Sequence, residues 1–228
     1  MNNNIKILIL FIIIFKFNCK DINNFSFIQT INIYKDANNQ NSNTRKLNLL
    51  NIFGKNKKNL IIGSVIKYSW DVIKNFFISL NNTNIENCDI VMFVGNFSEQ
   101  IIEKIKSYGV TIYDIPKEFI GSKHRIHNYR FKLYEDFLIK NKDKYNMVFT
   151  ADVRDTIFQK DIFQFYNNYH KPFLGVFLEE WYIKKDKINK YWAKLLCDVE
   201  KIQNNKIICV GTLIATINLL NYVMLYGK

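Results

Sequence analysis

Two aspartates that follow an apolar run are the residues best suited to chemistry. Tyr145-Asn146-Met147-Val148-Phe149-Thr150 leads directly into Ala151-Asp152-Val153-Arg154-Asp155. Two carboxylates this close on a strand-to-loop turn can aim at one hard divalent cation. Mg2+ or Mn2+ prefers oxygen ligands and keeps coordination positions open for phosphate oxygens. Arg154, between them, has the planar fork to pair with a carboxylate or to grip a diphosphate bidentately. The same spacing also allows a surface ion network, with Asp155 capping whatever follows. Cysteine chemistry gives no comparable signal. Cys88, Cys197 and Cys209 have no CxxC spacing, so neither a zinc site nor a disulfide framework is indicated. A Cys197–Cys209 bridge and free thiols stand as equal alternatives.

Carboxylates of this kind need a scaffold, and the pattern from residue 60 onward supplies one. Leu60–Ile66, Asp89–Val94, Val110–Tyr113 and Tyr145–Thr150 are apolar runs of strand length. Between them, Ser69 is placed to cap a helix with Val72, Ile73, Phe76, Phe77 and Leu80 on one face. Ser98 is placed to cap a second, carrying Ile101, Ile102, Ile105 and Tyr108 and ended by Gly109. A third helix carries Phe131, Tyr134, Phe137 and Leu138. Strands unbroken by polar residues, separated by amphipathic helices, predict an α/β fold: a mostly parallel, Rossmann-like sheet with helices on both faces. Ligands bind such sheets beyond the carboxyl ends of the strands. That is where Asp152 and Asp155 fall.

Asp152-Val153-Arg154-Asp155-Thr156-Ile157-Phe158-Gln159-Lys160-Asp161-Ile162-Phe163 resembles the DxRDxxFQxDPF signature of nucleotide-sugar-dependent glycosyltransferases with the GT-A fold. Ser69-Trp70 with Phe76–Leu80 is similar to that family's first helix, and Arg130-Phe131-Lys132-Leu133-Tyr134 to its RFxLY segment. Trp192 and then Ile208–Thr216 resemble its downstream CSGTxxGT segment, where Gly211 and Thr212 fall. Val210 stands for the expected Ser, Ala215 for Gly, and Ile162 for the Pro of the signature. The resemblance covers about residues 60–225.

The resemblance implies a metal, Mn2+ or Mg2+, held by Asp152 and Asp155 and bridging the diphosphate of a sugar nucleotide. Arg130, Arg154, Gly211 and Thr212 become substrate-binding residues. The rest of the basic group near Arg130 (Lys123, His124, Arg125, His127) reads as a solvated helix start. Glu179 and Glu180 follow the strand-like Phe173–Leu178, which brings them to the same sheet edge. They are candidates for the general base of an inverting enzyme, or for sugar-positioning groups in a retaining one, and they read equally as ordinary surface acids. The implied partners are a nucleotide-sugar donor and a glycan or protein acceptor. The alternative is an inactive GT-A-like module that binds nucleotide, or a lumenal membrane-anchored one. The family continues past the equivalent of Lys228, often to a late histidine ligand, whereas the last histidine here is His170. The 60–228 domain is therefore expected to be incomplete.

Residues 1–19 read as a signal peptide or short signal anchor, with Lys6 ahead of nine apolar residues from Ile7 to Phe15. Nine helical residues reach about 14 Å, roughly half a bilayer core. Residues 20–59 are an Asn/Lys-rich linker or stalk, unless Phe25–Tyr34 adds a peripheral strand. This places the domain in the secretory pathway, in the ER or Golgi lumen or secreted, with membrane contact only through the amino-terminal segment. The net charge of +12 comes from 28 Lys and only 4 Arg, and residues 59–228 carry just +5 of it. So mild a charge on the folded part gives no case for nucleic acid. Ile207–Tyr226 is uncharged over twenty residues and has the length of a membrane span. A strand at Ile207–Val210, a turn at Gly211 and a helix over Ile217–Leu225 accounts for it better.

Overall fold

The computed structural model describes residues 57–120, 123–166, 173–196 and 198–217. The leader, all but the last three residues of the 20–59 segment, the Phe25–Tyr34 option and all but the first residue of the expected Ile217–Leu225 helix lie outside the described residues. The strands are β1 (Lys58–Ile66), β2 (Cys88–Gly95), β3 (Val110–Asp114), β4 (Tyr145–Ala151), β5 (Leu174–Tyr182) and β6 (Lys206–Thr216). They form one sheet in the order β3-β2-β1-β4-β6-β5. β1 pairs in parallel with β2 and β4, and β2 with β3. β6 runs antiparallel to both β4 and β5, so β5 points the same way as β1 to β4. The expected α/β, mostly parallel sheet is present. It begins at Lys58, two residues inside the segment read as linker.

The helices are α1 (Trp70–Asn82), α2 (Glu99–Lys106), α3 (Lys117–Ile120), α4 (Lys123–Asn141), α5 (Lys187–Leu196) and α6 (Val199–Ile202). Successive side chains of a strand face opposite ways, so the central β1 feeds two cores. Ile61 and Val65 pack with Ile73, Phe76, Phe77 and Leu80 of α1. Leu60 and Ile62 pack with Phe131, Tyr134, Phe137 and Leu138 of α4 on the other face. This two-sided burial is why the strand runs carry almost no polar residues.

Two local expectations are modified. Ser69 and Ser98 hold the extended backbone of N-caps, but neither hydroxyl makes a capping hydrogen bond. Backbone bonds alone start these helices, Val72 N–H to Ser69 O at 3.1 Å and Ile102 N–H to Ser98 O at 3.1 Å. Gly109 does close the second, at φ +74°, where a side chain would be strained.

The larger correction concerns the carboxyl-terminal run. There is no turn at Gly211 that ends the strand, because β6 continues to Thr216. The pairing with β5 is instead irregular. Val176 partners Leu213 and Phe177 partners Cys209, so three residues of β6, 210–212, bulge out of it. Its β-branched, two-sidedly buried sequence favours strand over helix. The membrane-span alternative falls with it, and no helix among the described residues is long and apolar enough to cross a membrane.

The loop after β4 is anchored from α1. The Ser79 hydroxyl accepts the Phe158 N–H at 3.0 Å and donates to Phe76 O at 3.0 Å. Phe158 itself packs edge-on against Phe76 and Phe149, with centroids at 5.2 and 5.7 Å. Ser79→Ala leaves the Phe158 N–H without that acceptor. It is expected to lower the unfolding free energy by about 1–2 kcal/mol, read by urea denaturation.

Candidate functional site

The strand order reverses between β1 and β4: β2 and β3 extend the sheet to one side of β1, and β4 lies on the other. A crevice opens outside the carboxyl ends of strands at such a switch point. Gly63 of β1 is level with Ala151, the last residue of β4, so Asp152 enters the crevice directly.

Arg130 reaches Asp152 from α4, with Nη1 3.7 Å from Oδ2. That is an ion pair too long to be a hydrogen bond. The Arg130 side chain is only 14% exposed, whereas that of Asp152 is 38% exposed. Arg130 Nε is buried without a hydrogen-bond partner, and the hydroxyl of Tyr134, one helical turn further on, is buried beside Ser64. Burial pushes the Tyr134 hydroxyl above its ordinary range, opposed by the nearby Arg130 charge and by hydrogen bonding with Ser64. Buried polar atoms left unpaired are costly and tend to mark functional positions.

The bulge of β6 completes the cluster. A Cβ at Gly211 would lie 2.7 Å from Asp152 Oδ2 and 3.3 Å from Arg130 Nη2. Only a residue without a side chain lets β6 approach the aspartate this closely. The fully buried Thr150 fixes the approach by accepting the Leu213 N–H at 3.1 Å, with its hydroxyl 3.4 Å from Gly211 O.

Asp155 sits on the turn formed when its own N–H and that of Thr156 bond Asp152 O, at 3.1 and 3.0 Å. Its carboxylate takes two hydrogen bonds of 2.8 Å from Arg154 Nε and Nη2. Those bonds hold the Asp155 carboxyl below its usual range and raise Arg154 in turn. Because folding lowers its pKa, the Asp155 pairing stabilises the folded chain above about pH 4. That contribution is lost as the pH falls through the lowered value. Arg154→Gln is expected to return the Asp155 titration midpoint to about 3.9, followed by carboxyl-carbon NMR.

The structure thus brings Asp152, Arg130 and Gly211 together and gives Asp155 to Arg154. Thr212 and Asp155 both line a cleft of about 440 Å3. Glu179 and Glu180 are not beyond β5 but inside it, and both are exposed. β5 is level with β4 through β6, Leu174 with Ala215 and Ala215 with Val148. The two glutamates therefore fall at the same edge of the sheet as Asp152. The side chains of residues 123–128, including His124, Arg125 and His127, and that of Trp192 lie outside the described residues. Cys209 is a free thiol.

The donor set suits a hard cation. Asp152 and Asp155 offer carboxylate oxygens on one turn, and Mg2+ or Mn2+ binds through one or two carboxylates plus water and phosphate. Among the described residues no group of three or more His, Cys, Asp or Glu could hold a metal by itself. Substrate phosphate oxygens and water are the further ligands such a cation takes.

Sequence reasoning missed Tyr134 and Thr150 as site residues. Tyr134 is four residues from Arg130, the spacing that stacks side chains on one helix face. Thr150 is a polar residue at the end of an otherwise buried strand. Either could have been found from those signals.

No protein-family model matches this chain, and no curated protein does. Among solved structures, core-mannan synthase A from Aspergillus fumigatus, in its Mn/GDP form, is similar over 90% of this chain and 71% of its own, at 10% identity and a TM-score of 0.36.

Proposed function

We propose that this chain is a metal-assisted, GT-A-type glycosyltransferase that moves a sugar from a nucleotide-diphosphate donor to a hydroxyl of a glycan or protein acceptor, in the lumen of the secretory pathway. The observation that carries the reading is the convergence of Asp152, Arg130 and Gly211 at the β1–β4 switch point. Aspartates followed by an FQ-type loop resemble the nucleotide-sugar signature, and here the first of them meets a largely enclosed arginine.

Asp152 and Asp155 would hold Mn2+ or Mg2+. When bound, the cation supplies charge to neutralise the diphosphate as it leaves. The Arg130 guanidinium, with Nη1 3.7 Å from Asp152 Oδ2, can donate to a phosphate or sugar oxygen beside that carboxylate. Arg154 can exchange its hold on Asp155 for the diphosphate once the carboxylate is engaged elsewhere. Gly211 lets the β6 backbone lie against Asp152, and the neighbouring Thr212 lines the cleft beside Asp155, where it can meet a substrate hydroxyl. In transfer, the acceptor oxygen bonds to the anomeric carbon while the bond from that carbon to the diphosphate oxygen breaks. The diphosphate departs with the electron pair, and the acceptor proton passes to a base. Glu179 and Glu180 are the candidates for that base if the sugar inverts.

The test is release of UDP or GDP from a panel of UDP- and GDP-sugars with Mn2+ and with excess EDTA. Manganese-dependent release supports the transferase. Metal-dependent binding of UDP or GDP with no release from any donor identifies the inactive nucleotide-binding module instead.

A further inference from the structure

We propose that the cleft beside Asp155 is the acceptor subsite and that it takes an amphipathic acceptor, an apolar body carrying a hydroxyl. This rests on the transferase reading above and deepens it. Phe149, Phe158 and Phe177 wall the cleft, with Thr212, Asp155 and Lys160 among its polar lining. The rings stand edge to face, Phe149 to Phe158 at 5.7 Å and Phe149 to Phe177 at 6.1 Å. A volume of about 440 Å3 is in the range of small-molecule sites.

Chemistry separates this cleft from the diphosphate position. The phenylalanines that floor the cleft offer a phosphate no hydrogen bonds in place of those it would give up to water, a heavy cost. Lys160, the one basic residue of the lining, is exposed, and its solvated ammonium adds little hold on a phosphate. The anionic half of a donor fits the Arg130 side, reached from α4. Phe149 and Phe158 belong to the opposite core, shared with α1. The Asp152–Asp155 turn lies between the two, so an apolar ligand in the cleft presents its hydroxylated end to the turn.

Cys209 gives a readout that needs no turnover. It is a free, half-buried thiol lining the cleft. Cys88 is pushed up to about 12 by burial and is inert at neutral pH. In the full chain carrying Cys19→Ser and Cys197→Ser, N-ethylmaleimide labelling of Cys209 is followed by mass spectrometry. A 4-nitrophenyl hexoside at about four times its Kd is expected to slow labelling roughly fivefold, without metal or nucleotide. Methyl hexoside is expected to leave it unchanged. Phe177→Ala should abolish the protection while circular dichroism stays that of the parent. Equal protection by methyl and aryl hexosides, or none by the aryl hexoside up to its solubility limit, overturns the proposal. Protection by uridine or guanosine alone also overturns it, by giving the cleft to the donor's base. Donor release that proceeds with no sugar reaching the aryl hexoside overturns the acceptor role while leaving the transferase standing. Absence of any donor release, with aryl protection intact, removes the transferase reading and leaves the cleft's ligand class supported.

Discussion

Asp152→Asn is expected to weaken manganese-dependent binding of UDP or GDP at least about 100-fold while the chain stays folded. Removing even an outer-shell partner of a metal site costs about 10–100-fold, and Asp152 is one of only two carboxylates on the turn. The stability cost is small because the carboxylate is partly exposed and its pairing with Arg130 is 3.7 Å long. A melting shift of no more than about 2–4 °C is therefore expected. Calorimetric titration with and without Mn2+, next to a thermal melt, separates the two effects. A loss of binding together with collapse of the melt would reduce Asp152 to a structural residue.

Gly211→Ala is expected to damage the site without touching either aspartate. The added methyl group would sit 2.7 Å from Asp152 Oδ2 and 3.2 Å from its Cβ. The oxygen is the free end of a side chain and can rotate away, so the fold survives the clash. The rotation carries Asp152 off the turn geometry it shares with Asp155. A displacement of about 1 Å in a catalytic constellation can cost about 100-fold, so nucleotide binding and donor release should fall between about 10- and 100-fold. Unchanged nucleotide affinity in Gly211→Ala would mean that the close approach of β6 serves packing alone.

The parts legible in the sequence share one physical origin. β1 to β4 and α1, α2 and α4 were readable because a sheet buried on both faces demands unbroken apolar runs, and helices on it demand one-sided stripes. Leu60–Ile62 and Ile73–Phe77 state this directly. β6 was misread because Gly211 interrupts an uncharged run. A glycine there reads as a turn or as a diluted membrane span, whereas it marks a bulge where β6 crosses close to Asp152. Such a requirement comes from a partner 59 positions away and leaves no local trace. Glu179 and Glu180 were assigned beyond a strand that includes them. Strand ends are set by pairing, here Tyr182 with Lys206, rather than by the polarity of the residues. At the site, the DxRD pattern located the aspartates. It said nothing of which arginine meets which carboxylate. Arg154 takes its neighbour Asp155, while Asp152 is met by Arg130, from another element.

The central claim is that Asp152 and Asp155 together hold the cation that carries a nucleoside diphosphate. A crystal of the full chain grown with Mn2+ and UDP or GDP, with data collected at the manganese absorption edge, tests it most directly. The account predicts one anomalous peak within about 2.0–2.3 Å of an oxygen of each aspartate, with diphosphate oxygens completing the shell. A nucleotide bound with no anomalous peak at this turn, or with manganese held elsewhere on the chain, would contradict it.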